Sequence, residues 1–461
     1  MSTALPLVCV APRRTAFTNR LRSSPACGNA ADSQHSTLNS QLPRLRYLKV
    51  FLFIGFVVSL IAIGLHEAGL WARFDAALAR VFGQTTPPVS RRAFQYPFFI
   101  AFAFGIAWTT IDISGRLQKC LVAATALVQV VAATFILHLF GLFFSPWACL
   151  TTITLSFLAG FAYAQTPNGS RKRVVHEIFG DRISSETFIR LVDSDQPLIF
   201  EGEVCEASVV VCEIFNHEEL SEALPVTEYV ALHNAFLRNA SDFLVGCGAY
   251  LDESGGESLR VVFGSPLPDP QHARTASAAA VALTKRLDEV NEECFKVWKQ
   301  MFDFRIGVNS GDLVVAAYGS RRLGNFSVAG EPVEFARRLC AANTIYGSRI
   351  LVGCGTFNLA EPTIEVRPME LIQRYQDDRS REEVYELLAL RNTMPAEELE
   401  RRDMFWKGIV YYRQQMWDEA LSYFYSARLS HGGDGPVEFY IRRIEQLRQG
   451  LASLDWSSAR F

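Results

Sequence analysis

No two cysteines of this chain stand in a CxxC spacing, and no Cys/His set has the spacing of a zinc site. The ten cysteines are scattered, with Cys120 and Cys149 inside long apolar stretches, so reduced thiols are expected rather than a disulfide framework. A basic excess is also lacking. Lys and Arg number 45 against 48 Asp and Glu, a formal charge of −3, and a polyanion-binding surface needs the opposite balance, which argues against nucleic acid as a partner. At 461 residues the chain is longer than one ordinary domain.

Charge is missing altogether from several stretches of the first third. Residues 50–65 are uncharged, and 68–71 prolong that run past His66 and Glu67 towards the roughly 20 residues that a bilayer requires. Distance from Met1 and the lack of a small-residue cleavage site argue against a signal peptide. Residues 93–111 form a second uncharged run, and 120–170 hold no Asp, Glu, Lys or Arg. That last stretch is long enough for two spans, divided at Ser145-Pro146, because proline lacks a backbone donor and the residue before it avoids the helical region. The expectation is four transmembrane helices over 47–165, preceded by a disordered cytoplasmic tail, 1–46, rich in Ser, Asn and Arg.

Basic residues cluster before the first span (Arg44, Arg46, Lys49) and after the last (Arg171, Lys172, Arg173), which puts both ends in the cytoplasm. Arg116 and Lys119 agree with that orientation; Arg91 and Arg92 do not. A multi-pass protein of the cell membrane with its C-terminal domain in the cytoplasm follows, with the lipid bilayer as a partner. Asp112 at a helix end and His138 offer little of a transport pathway.

After the basic cluster, 174–192 has helical spacing and falls within a coupling segment, 166–200. Short β runs then alternate with helices: a strand at 207–215, a helix at 218–238, strands at 243–251 and 259–263, and a helix at 271–287. Strands at 304–309 and 313–318 reverse across Ser310-Gly311-Asp312, and a helix at 333–342 and a strand at 349–353 follow. This βαββαββαβ order implies a sheet and helices layered around one core.

Three ordered blocks in this region, residues 304–311 (FRIGVNSG), 327–339 (SVAGEPVEFARRL) and 346–352 (YGSRILV), resemble successive motifs of the class III adenylate and guanylate cyclases. Val261-Val262-Phe263-Gly264 followed by Pro266, Pro268, Asp269 and His272 resembles another. The resemblance spans about 180–361. It implies an α+β fold: an N-terminal transmembrane helix bundle, a ferredoxin-like βαββαβ cyclase domain at 201–365, and a short α-helical C-terminal segment at 395–455.

The family closes ATP or GTP into the 3′,5′-cyclic monophosphate with release of pyrophosphate. Two divalent ions, Mg²⁺ or Mn²⁺, draw the 3′-oxygen towards attack, and a cation stabilises the transition state. The resemblance places the metal ligands at Glu213 and Glu257, where the family has aspartate. Base recognition falls to Glu253 and Ser327; a carboxylate at the first position tilts towards guanine, and the serine is permissive because a hydroxyl donates or accepts. The ribose-positioning asparagine is Glu334 here, and the transition-state arginine is Arg338, with Arg337 beside it on the exposed side of the helix. Four glutamates thus stand where a triphosphate would bind, and like charge at short range repels.

Family sites form between two subunits, so a homodimer or heterodimer through the cyclase-like domain is implied, with a nucleoside triphosphate as the small-molecule partner. Two functions remain open: a membrane-anchored nucleotidyl cyclase, a phosphorus–oxygen lyase in cyclic-nucleotide signalling, or a catalytically inactive pseudocyclase acting as a nucleotide- or partner-binding module. Near the C-terminus Trp406, Gly408, Tyr411, Ala420, Phe424 and Pro436 match the spacing of one tetratricopeptide-like repeat. A plain amphipathic helix pair fits as well.

Overall fold

The computed structural model describes residues 45–81, 94–113, 115–140, 144–194, 201–318, 325–373, 381–429 and 433–450. The tail over 1–44, with Arg44, and the pair Arg91 and Arg92 lie outside the described residues.

The first third folds as helices α1 (Leu45–Glu67), α2 (Ala72–Val81), α3 (Tyr96–Asp112), α4 (Arg116–Leu139) and α5 (Pro146–Gln165). Among the described residues three are long and apolar enough to cross a membrane, Tyr47–Glu67 within α1, α4 and α5, while α3 is a shorter apolar helix. The side chains that meet inside include several small ones, Ala62, Ala126, Ala148 and Cys149, together with Phe99 and Ile153. The large apolar side chains point the other way, with Phe53 69%, Val128 67% and Leu139 82% exposed. A water-soluble bundle has the reverse pattern.

Thr166 caps α6 (Pro167–Phe179), its hydroxyl accepting from the Gly169 amide at 3.2 Å. The helix expected over 174–192 is broken: Gly180, at φ 46, ends α6, a single 3₁₀ turn follows, and α7 (Ser185–Asp193) restarts after the Ser184 cap. Lys172 Nζ lies 2.8 Å from Asp112 Oδ1, which ties α6 to the end of α3 and gives Asp112 a structural partner.

The α/β domain runs β1 (Glu203–Ile214), α8 (His217–Ala223), α9 (Val226–Gly246), β2 (Tyr250–Ser254), β3 (Ser258–Phe263), α10 (His272–Trp298), β4 (Phe304–Tyr318) and β5 (Asn325–Ala329). It continues through α11 (Glu331–Tyr346), β6 (Ile350–Val352), α12 (Cys354–Ala360), β7 (Ile364–Gln373) and β8 (Arg381–Leu390). The sheet order is β2-β3-β1-β4-β6-β8-β7, with β5 on β4. One face is covered by α9 and α10 through Leu232, Phe236, Leu244, Ala276, Leu283 and Leu287, each large side chain contributing about 1.5–3 kcal/mol by burial. The other carries α6 and α11, where Val175, Phe179, Val333, Ala336 and Cys340 meet Val209, Val211 and Tyr250.

Several sequence expectations need correction. The strand expected at 243–251 starts only at Tyr250: Leu232, Phe236, Ala240 and Leu244 keep a four-residue period into the core, so α9 continues to Gly246, and Gly248 at φ 94 makes the exit. The helix expected at 218–238 is two helices, because Pro225 begins α9 afresh. Ser310-Gly311-Asp312 forms no turn. These residues pair in register with Ser208, Ala207 and Glu206, and Ser310 Oγ lies 2.6 Å from Ser208 Oγ, so β4 is one long strand. Strand β5 and the β7–β8 hairpin were not foreseen.

Helix α11 is seated by Gly307 of β4, where an added Cβ would stand 2.1 Å from the Ala336 carbonyl oxygen. Asn343 Nδ2 donates to the Ile306 carbonyl at 2.9 Å and Cys340 Sγ to that of Arg305 at 3.1 Å. The C-terminal helices α13 (Ala396–Arg413), α14 (Trp417–Ala427) and α15 (Gly435–Arg448) pack on α11 and the sheet through Phe405, Phe424 and Tyr440 against Phe335, Leu339, Tyr346 and Met369. A buried network locks this contact: Arg367 on β7 bonds Glu386 Oε2 on β8 at 2.6 Å and both Asp434 oxygens at 2.8 and 2.7 Å, with its guanidinium 4.5 Å from the Phe405 ring.

Candidate active site

The sheet edge formed by β1, β2 and β3 gathers three of the glutamates. On β1, Val210, Cys212 and Ile214 enter one core and Val209 and Val211 the other, so by alternation Glu213 stands on the α11 side. Its cross-strand partners are Ser258 and Arg305. The β2–β3 turn closes with Gly255 N–H donating to Ser258 O at 2.9 Å, and the Ile214 amide donates to Glu257 O at 2.9 Å, which brings Glu257 beside the end of β1. The Glu257 carboxylate is half exposed and lies 3.8 Å from His217 Nδ1 at the start of α8. Burial pushes the Glu213 carboxyl above the usual carboxylate range; Arg337 opposes that, while Glu257 and Glu253 add to it.

Glu253 faces Arg260 across the hairpin, with Arg260 Nη1 at 2.9 Å, and Arg337 Nη2 approaches the same oxygen to 3.8 Å from α11. Arg260 is shared: its Nε donates to Asp252 Oδ2 at 2.5 Å. Asp252 sits at the bulge of β2, buried, and its Oδ1 has no hydrogen-bond partner among the described residues.

The other expected site residues lie apart from this cluster. Ser327 is on β5, on the strand face opposite the buried Phe326 and Val328. Glu334 is exposed on the first turn of α11. Arg338, one turn on, donates from Nη1 to the Gln373 carbonyl at 3.2 Å and lies 5.0 Å from the Phe335 ring. Burial lowers its pKa from the ordinary arginine value, and Glu331 and Glu334 work against that. Arg337, expected to face solvent, is half exposed but turned to Glu253.

Sequence reasoning thus missed Arg260, Asp252 and His217, and it named Arg337 without its contact to Glu253. The position of Arg260, directly opposite Glu253, was accessible from the hairpin register; the reach of Arg337 was not, because it is a contact between helix and sheet.

Class III cyclases generally use divalent metal ions. The donors of Glu213 and Glu257 fit such ions in type, since hard oxygen suits Mg²⁺. Their surroundings do not. Among the described residues no group of three or more His, Cys, Asp or Glu side chains is arranged to hold a metal, and a guanidinium faces the cluster. Two divalent ions do not fit these residues as they stand.

A sheet with helices on both faces, a β2–β3 turn at the end of β1 and an arginine-bearing helix seated on β4 form an α+β domain that resembles the class III nucleotidyl cyclase type. Comparison with known proteins points the same way: the family model "Adenylate and Guanylate cyclase catalytic domain" matches residues 202–368. Adenylate cyclase 1 of Rhizobium meliloti (strain 1021) is 23% identical over 164 residues, 36% of this chain and 25% of that protein. An uncharacterized protein of Mycobacterium tuberculosis (strain ATCC 25618 / H37Rv) is 30% identical over 191 residues, 41% of this chain and 32% of that one. The chain therefore spans about a quarter to a third of these relatives. Among solved structures, the adenylyl cyclase CyaB from P. aeruginosa is 22% identical with a TM-score of 0.39, covering 42% of this chain and 100% of that one.

Proposed function

We propose that the chain is a membrane-anchored signalling protein in which a helical bundle sets the state of a class III cyclase-type domain, and that this domain binds a nucleoside triphosphate or a protein partner without metal-dependent turnover of its own. The observation that carries this reading is Glu253, held between Arg260 and Arg337 beside Glu213 and Glu257. An incoming triphosphate would meet carboxylates rather than metal ions at this edge.

The outward-facing apolar side chains of α1, α4 and α5 support four spans in the cell membrane with α3 as the shortest. Lys49 in the first turns of α1 and Arg171, Lys172 and Arg173 after α5 support a cytoplasmic domain. Coupling runs through α6: Lys172 engages Asp112 at the bundle, and seven residues on Phe179 packs 5.8 Å from the Tyr250 ring of β2 and 4.9 Å from the Phe326 ring of β5. Those strands carry Glu253 and Ser327.

A second reading, conversion of ATP or GTP to the cyclic monophosphate in a dimer whose other chain supplies an intact metal half-site, is favoured by Arg338 on α11, at the position the resemblance gives to the transition-state arginine. The detergent-solubilised chain, given ATP or GTP with Mn²⁺ or Mg²⁺ and followed by mass spectrometry, is expected to release no cyclic product while binding a fluorescent nucleotide analogue or a partner. Robust turnover by the chain alone would sink the proposal. Turnover only on mixing with a second cyclase chain would establish the alternative.

A further inference from the structure

We infer that Arg337 is a resident cation of this site: its guanidinium, added to that of Arg260, offsets the charge of the Glu213–Glu253–Glu257 cluster and excludes Mg²⁺ and Mn²⁺ from the edge where the family fold would hold metal. The inference deepens the proposed function and rests on it.

Charge accounting at the edge leads there. Four carboxylates, Glu213, Asp252, Glu253 and Glu257, crowd the ends of β1, β2 and β3. Arg260 is divided between two carboxylates, the buried Asp252 at 2.5 Å from its Nε and Glu253 at 2.9 Å from its Nη1, so its single charge does not balance the group. Arg305, opposite Glu213 across the β1–β4 pair, is engaged by Asp303. His217 faces Glu257. The second cation at the cluster is Arg337, which approaches the same Glu253 oxygen to 3.8 Å from α11 and is the charge that opposes the raised pKa of Glu213.

The seating of α11 fixes this arrangement, because the helix backbone lies against Gly307 of β4 and is bonded through Asn343 to Ile306. A guanidinium is planar, always charged and weakly hydrated. It satisfies several carboxylates without the octahedral shell at roughly 2.0–2.1 Å that Mg²⁺ demands. A divalent ion entering the cluster would have to displace it or bear its like charge at short range.

Mn²⁺ alone is the probe, titrated into the detergent-solubilised full chain and followed by the loss of the free-ion electron paramagnetic resonance signal. The wild type is expected to leave Mn²⁺ free. Arg337→Ala is expected to bind it at least roughly tenfold more tightly, a difference of about 1.4 kcal/mol. Arg337→Lys should behave as wild type, and adding Glu257→Gln to Arg337→Ala should abolish the gain.

Wild type binding Mn²⁺ as tightly as Arg337→Ala, or no gain in Arg337→Ala when a thermal melt shows it folded, overturns the inference. Should Arg337→Ala fail to fold, Arg337→Gln, which keeps most of the stem, takes its place with the same expected gain. A wild type that binds Mn²⁺ yet makes no cyclic product defeats this inference alone. One that makes cyclic product while leaving Mn²⁺ free defeats the proposed function alone.

Discussion

Two arginine–carboxylate networks stand on the domain, and they differ chiefly in burial. Arg367, with Glu386 and Asp434, is 8% exposed at the side chain, and all its bonds are short and direct. Arg337 is 49% exposed and reaches Glu253 only at 3.8 Å. Water screens the second pair and is excluded from the first, so the buried one acts as a fixed clamp between sheet and C-terminal helices, whereas the exposed one is exchangeable. A signalling site needs the second kind; a domain junction needs the first.

The sharpest way to break that contrast is to truncate both arginines. Arg367→Ala strands the buried Glu386 and the part-buried Asp434 and removes the contact with the Phe405 ring, at an expected cost of about 3–5 kcal/mol. Arg337→Ala should cost less than about 1 kcal/mol. Thermal unfolding of the detergent-solubilised chain checks both; equal losses would show that burial is not what separates the networks.

A carboxylate near the clamp gives the next effect. Burial raises Glu370 on β7 above its ordinary 4.5, against the backbone hydrogen bond from Leu371 and the charges of Arg443, Arg413 and Arg381. The folded state therefore holds this proton more tightly than the unfolded chain does. Its contribution is fully present below the unfolded value and is lost as pH rises through the folded one. Glu370→Gln should stabilise the chain at neutral pH and lose that advantage near pH 4, the checks being melts across that range.

How much of this was visible in the sequence follows the same division between local and distant contacts. The apolar spans, the division at Pro146, and the blocks around Gly307, Gly330 and Tyr346 are local patterns, and they located the bundle and the domain. The 310–312 segment misled because Ser-Gly-Asp is turn chemistry in isolation; twelve residues of β1 on one side override it. Arg367, Glu386 and Asp434 meet across separations of 19 and 67 residues, and Arg337 meets Glu253 between a helix and a hairpin. Such pairs carry no periodic or spacing signal, so the motif positions alone made the cluster look like uncompensated negative charge.

The smallest expected effect lies at the other extreme of exposure. Lys172 and Asp112 pair at 2.8 Å with side chains 42% and 54% exposed, so Lys172→Ala should alter stability by no more than about 0.5 kcal/mol. Its consequence should instead be mechanical. Lys172 is a side-chain tie between α6 and the end of α3, and the same helix ends on Phe179 beneath β2 and β5. Hydrogen exchange of the detergent-solubilised variant should then be faster in α6 and at Tyr250–Ser254 while β7 and β8 keep their protection. Unchanged exchange at β2 would mean that α6 supports the domain without transmitting the state of the bundle to the strands that carry Glu253 and Ser327.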